Sequence, residues 1–169
     1  ELQSNNQELM CTNDELLDRQ EQLLSMRDYA ESIVQTIREP LIIIDKDYTV
    51  KSANPAFYKY FGTTDKETEG FSFFEIGNSQ WDIPDFKNLI LQMAVQKQAI
   101  EDYKLQISCL ETDKKTLMVN ARLLQNTKQD GMVLLAFEDI TDLLVSNELL
   151  NNRNTELQVY NEQLENFTS

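Results

Sequence analysis

The sequence predicts an α+β domain, a five-stranded antiparallel sheet with short helices on one face, held between two coiled-coil helices. Three observations carry this expectation. Leucines recur every seven residues at both ends of the chain. Two strand-like runs fall within residues 41–53 and three more within residues 100–138. Helix signals fill the interval between the two sets of strands. The expected boundaries are a coil at 1–37, a domain at 38–141 and a second coil at 142–169.

The end patterns are the most regular. Leu2, Leu9, Leu16 and Leu23 lie seven apart, and Asn6, Asn13 and Gln20 follow the first three by four residues. The last stretch repeats this with Leu143, Leu150, Leu157 and Leu164, and with Asn147, Asn154 and Asn161. Leu at one seam position and Asn at the other is a heptad with a polar a position. Asn pairs hydrogen-bond across a parallel two-stranded seam, fixing register at a cost in stability. The pattern therefore predicts a parallel homodimer whose coil turns or loosens for a small free energy. A merely structural dimerising stalk is the alternative. A helix lying on a membrane is disfavoured, because such helices are rich in Lys and Arg and the final stretch is acidic.

Within the domain, Glu39-Pro40 ends the first helix, since Pro disfavours helix in the residue before it. Residues 41–44, Leu-Ile-Ile-Ile, read as a buried strand, and 48–53 alternate as a second. Asn54-Pro55 is a helix start, with Asn as cap and Pro at the first helical position. Phe57, Tyr60 and Phe61 give that helix an aromatic face, and Gly62 stops it. Thr64 to Glu67 has the capping-box form of another single turn, closed by Gly70. Phe71, Phe73, Phe74 and Ile76 form an apolar cluster before a loop at 77–80. Phe86, Leu89, Ile90 and Met93 then follow a helical period. Strands are expected at about 100–110, 116–124 and 132–138, with turns at 112–114 and 129–131. Thr141 is the expected N-cap of the last helix.

Composition excludes several functions. The chain has 29 acidic and 15 basic residues, a formal charge of −14, so it lacks the basic face that nucleic acid requires. No apolar run reaches the length of a membrane span and no signal peptide is evident, which together suggest a cytoplasmic protein. Histidine is absent, which removes His-ligated haem, most zinc sites and His-based acid–base catalysis. Cys11 and Cys109 have no metal-site spacing and suggest a reducing compartment. No triad, phosphate loop or paired-carboxylate site occurs, so no catalysis, cofactor or metal is expected in this segment.

Four stretches carry a family resemblance. Ser52-Ala53-Asn54-Pro55-Ala56-Phe57 resembles the PAS motif in which the second strand enters the first helix. Asp139-Ile140-Thr141 resembles the Asp-Ile-Thr that ends PAS cores before a signalling helix. Residues 77–84, with Trp81-Asp82-Ile83-Pro84, and residues 119–122 resemble PAS domains of hybrid histidine kinases and fused chemotaxis methylesterase–methyltransferase proteins. The Asn13-Asp14-Glu15-Leu16 heptad is similar to those flanking such domains. Residues 161–167 look like the lead-in to a kinase dimerisation helix, whose phospho-accepting His would lie beyond Ser169. The resemblance implies a sensory or relay module of a bacterial two-component or chemotaxis protein, with a kinase or transferase output domain in the same polypeptide. Flavin photoreceptors of this fold carry Asn-Cys-Arg before the long helix, and that run is missing here.

The candidate site residues divide into four groups. Trp81 either lines a small-molecule pocket or packs in the core, the usual fate of a lone Trp. Asn120 and Arg122 alternate on a strand and share a face; they could bind an anionic ligand, but an ion pair with a neighbouring carboxylate is favoured. Asp139, Ile140 and Thr141 form the expected signal junction, where capping the helix also passes strand movement into the coil. Cys109 is a weak redox candidate, with nothing electropositive beside it in sequence.

Overall fold

The structure is a computed structural model that describes residues 1–108, 113–125 and 131–169. Its elements are α1 (Leu2–Thr36), β1 (Leu41–Ile44), β2 (Val50–Ala53), α2 (Pro55–Phe61), α3 (Asp65–Thr68), α4 (Ile76–Ser79), α5 (Pro84–Gln96), β3 (Ile100–Ser108), β4 (Lys114–Leu124), β5 (Met132–Asp139) and α6 (Thr141–Thr168). The strands form one antiparallel sheet in the order β2-β1-β5-β4-β3. No helix among the described residues is long and apolar enough to cross a membrane.

Residues 1–38 form one unit and 39–169 another. In the first, every residue of α1 is exposed, including Leu2, Leu9, Leu16 and Leu23. The helix ends where Ile37 turns extended, three residues ahead of Pro40. A helix with its leucines in water gains little from tertiary packing.

In the second unit the pleat sorts the strand residues. Ile42 and Ile44 on β1, Val133, Leu135 and Phe137 on β5, and Leu117, Val119 and Ala121 on β4 are all buried on one face. Pairing sets them side by side: Ile42 faces Leu135, which in turn faces Ala121, and Val119 faces Phe137. The helical layer adds Phe57, Phe73, Trp81, Phe86 and Ile90, all at 1 % exposure or less. Each such side chain contributes roughly 1.5–3 kcal/mol by leaving water, and together they make one continuous core.

Local chemistry places α2. The Asn54 Oδ1 accepts the Phe57 N–H at 3.0 Å, Pro55 opens the helix, and Gly62 closes it in the left-handed region. The Asn54 side chain also reaches back, accepting from Leu41 N at 2.8 Å and donating to the Glu39 carbonyl at 2.9 Å.

Several expectations need correction. The second strand begins at Val50 rather than 48, because Tyr48 is left-handed (φ 63°) and completes a turn on the Asp45 carboxylate, which accepts from Asp47 N and Thr49 N. Phe71 is 52 % exposed and leaves the apolar cluster to Phe73, Phe74 and Ile76. The expected loop at 77–80 is a single tight turn in which Gly77, Asn78 and Ser79 are all left-handed. The Thr64 hydroxyl donates to the Glu67 carboxylate at 3.2 Å and caps no backbone N–H. Cys109 and parts of the two turns between the last three strands lie outside the described residues.

Candidate functional site

The sheet hands over to α6 through a compact polar cluster. Ile140 is buried and anchors the crossing. On β4, the peptide of Thr116 grips both sides of it: its carbonyl accepts from Ile140 N at 3.0 Å, and its N–H donates to the Thr141 hydroxyl at 3.0 Å. Asp139 Oδ1 accepts from Thr141 N at 3.0 Å and from Thr141 Oγ1 at 2.6 Å. Thr141 is therefore the first residue of α6 and not its cap; the Asp139 carboxylate satisfies the N–H at that helix end. Asp139 Oδ2 accepts from Tyr60 Oη at 2.5 Å and lies 3.8 Å from Lys115 Nζ. Burial alone would raise the Asp139 carboxyl. The hydrogen bonds from Thr141 and Tyr60 and the charge of Lys115 outweigh burial and hold it below the ordinary carboxylate range.

Trp81 stands elsewhere, at 0 % exposure. Its ring centroid is 4.9 Å from Phe137, 5.0 Å from Phe61 and 5.2 Å from Phe73. Its indole Nε1 has no acceptor among the described residues, an arrangement that costs free energy when the group is buried. Asn120 and Arg122 occupy the opposite face of the sheet from this core, alternating with buried Val119 and Ala121. Asn120 accepts from Asp102 N at 2.9 Å, and Arg122 lies 3.8 Å from Glu101 across exposed surface. The structure thus does not bring Trp81, Asn120 and Arg122 together, and Arg122 has the carboxylate neighbour favoured for it.

On the helical side a cleft of about 760 Å³ opens between α2, α4 and β3, bordered by Phe61, Thr63, Glu67, Asn78, Gln80 and Ser108. Between helices and sheet, the rings of Phe57, Phe61, Phe73, Trp81, Phe86 and Phe137 pack on one another.

The description "PAS domain" matches residues 38–142 of the sequence. The chain belongs to the PAS family. Solved structures agree on the fold. The PAS domain of Bordetella pertussis BvgS is 15% identical, with 76% of this chain and 98% of that one covered and a TM-score of 0.56. A domain of a sensory box sensor histidine kinase/response regulator from Geobacter sulfurreducens is 18% identical, with 69% and 96% covered and a TM-score of 0.56. An RNA-binding light-oxygen-voltage receptor is 13% identical with a TM-score of 0.61; 79% of this chain is covered, but the chain spans only 38% of that receptor. No curated protein matches the sequence.

A PAS domain is a sensory module and not a catalytic one. At the junction this PAS domain offers hydrogen bonds and one ion pair. Asp139, Ile140 and Thr141, singled out in the sequence, do meet there. Tyr60, Lys115 and Thr116 were missed. Tyr60 carried only an aromatic-face signal, and the other two join the junction solely through the pairing of β4 with β5.

Proposed function

We propose that this PAS domain is a sensory or signal-relay module of a bacterial two-component or chemotaxis-type protein, working in the cytoplasm as a parallel homodimer. It passes conformational change from its core into the coil that leads to a kinase or transferase domain of the same polypeptide. The observation that supports this best is the continuity at the junction. Within three residues the hydrogen-bonded end of β5 becomes α6, whose Leu143, Leu150, Leu157 and Leu164 are 47 % to 59 % exposed. Two copies brought together along these residues, with Asn147, Asn154 and Asn161 at the other seam position, bury a stripe that a single copy leaves in water. The cleft beside α2 is where a small ligand would act.

The test is an insertion series after Leu150 in the full signalling protein. Each inserted residue turns the downstream seam by about 100°, and seven restore it almost to its starting face. Output, read as autophosphorylation or methyl transfer, should be lost or inverted by one or two residues and recovered by seven. A smooth decline without recovery refutes the reading. A second reading, a dimerising spacer without ligand, draws on the aromatic filling of the interior. A small molecule found by native mass spectrometry that also raises the melting temperature would decide against it.

A further inference from the structure

Tyr60 lies in the last turn of α2, 79 residues from Asp139 in sequence, yet its hydroxyl donates to Asp139 Oδ2. Its ring sits beneath Lys115, with Nζ 4.8 Å from the ring centroid, and that same ammonium is the one near Oδ2. The next residue, Phe61, points to different neighbours: it packs on Trp81 and Phe137 and borders the cleft. The end of one short helix therefore touches the core and cleft through one residue and the start of α6 through the other.

The two oxygens of Asp139 divide the load. Oδ1 holds the first N–H and hydroxyl of α6, while Oδ2 is held by Tyr60 and attracted by Lys115. A hydroxyl bonded to a carboxylate is among the stronger hydrogen bonds of a protein, and here it orients the whole carboxylate. A shift of α2 long enough to break it frees the carboxylate to rotate, and the grip on Thr141 loosens with it. The hydrogen bond itself is exposed, while the Tyr60 ring packs against the edge of the core.

We propose that Tyr60, assisted by Lys115, is a latch that positions Asp139 and so couples α2 to the first turn of α6. The idea rests on the proposed role of α6 as the output helix, and it names the contact through which a change near the cleft would reach that helix. Tyr60 and Lys115 act through Asp139 and are positioning residues.

The experiment is amide hydrogen exchange on the full chain carrying Tyr60→Phe, Lys115→Met or Asp139→Asn, and on the Tyr60→Phe/Asp139→Asn double variant. Tyr60→Phe keeps the ring under Lys115 and removes only the hydroxyl. It should speed exchange at Thr141 and Leu144 about tenfold, well beyond any change at the amides of β1 and β5. Asp139→Asn should do the same, and adding Tyr60→Phe to it should have no further effect, as for groups in one network. Exchange at Thr141 and Leu144 within twofold of the parent in Tyr60→Phe overturns the latch. So does equal acceleration of the β1 and β5 amides, which marks a merely structural contact. The same Tyr60→Phe change in the full signalling protein separates the two ideas. Faster exchange with unaltered output keeps the latch and sinks the signalling role of α6; unaltered exchange sinks the latch whatever the output does.

Discussion

Replacing Asn54 with Ala removes the side chain that ties the chain entry, β1 and α2 together. Asn54 is 1 % exposed, and its amide serves three backbone groups: Leu41 N, Phe57 N and the Glu39 carbonyl. Loss of a helix cap costs about 1 kcal/mol. A buried backbone donor or acceptor left unpaired costs about 1–3 kcal/mol. The contacts to Leu41 and Glu39 are only part-buried, so water recovers some of theirs, and the total comes to roughly 3–4 kcal/mol. Domains of this size hold only about 5–15 kcal/mol, so the change is severe. Asn54→Asp keeps both accepted hydrogen bonds, loses the donated one and sets a carboxylate against the Glu39 carbonyl; it should cost about 1–2 kcal/mol. Urea unfolding measures both, followed by the fluorescence of Trp81, the single buried Trp. With a slope of about 1.5 kcal/mol per molar urea, the Ala variant should unfold about 2 M earlier than the parent. A loss under about 1 kcal/mol at unchanged slope, or an Asp variant as damaged as the Ala one, would refute the account of Asn54 as a three-way tie.

If two copies pair along α6 as proposed, replacing Asn147, Asn154 and Asn161 with Val should raise the thermal midpoint and broaden the oligomer distribution in sedimentation. The Asp139 carboxyl is held below its ordinary range. Its contribution to stability is therefore complete above the unfolded carboxyl value, about 3.9, and disappears as pH falls through the lower folded value; acid unfolding of Asp139→Asn should lack that component. Gly62→Ala and Gly77→Ala should each cost about 1–2 kcal/mol for a left-handed backbone, since one meets open space and the other only the mobile end of Gln80. Gly131→Ala should cost more in the same denaturation assay, because the added methyl would lie 2.9 Å from Lys46 Cβ, which is fixed to backbone.

What the sequence revealed follows from how local each signal is. Asn54-Pro55, the Leu-Ile-Ile-Ile strand and the run from Asp139 into the last helix all encode their structure within a few neighbours, and each stands where it was expected. Strand parity was also readable. Asn120 and Arg122 alternate with Val119 and Ala121, so a core containing Val119 already puts Asn120 and Arg122 on the far face from Trp81. The contacts of Asp139 with Tyr60 and Lys115 had no such local trace. They depend on α2 lying over the end of β5 and on the pairing that brings Lys115 beside it. The left-handed Tyr48, Asn78 and Ser79 were equally hidden, because side chains other than Gly adopt that backbone only when surroundings impose it.

The grip of the Thr116 peptide on Ile140 and Thr141 gives α6 a zero point of rotation. Every side chain downstream has a compass bearing determined by its residue count from that clamp, at about 100° a step. Splicing becomes a matter of arithmetic. A chimera joined at Thr141 inherits the bearing of its sheet, whatever the length of sequence that precedes it. Two cores that end in the same clamp would set the same bearing for the helix that follows, and a single extra residue after the clamp would turn it by about 100°.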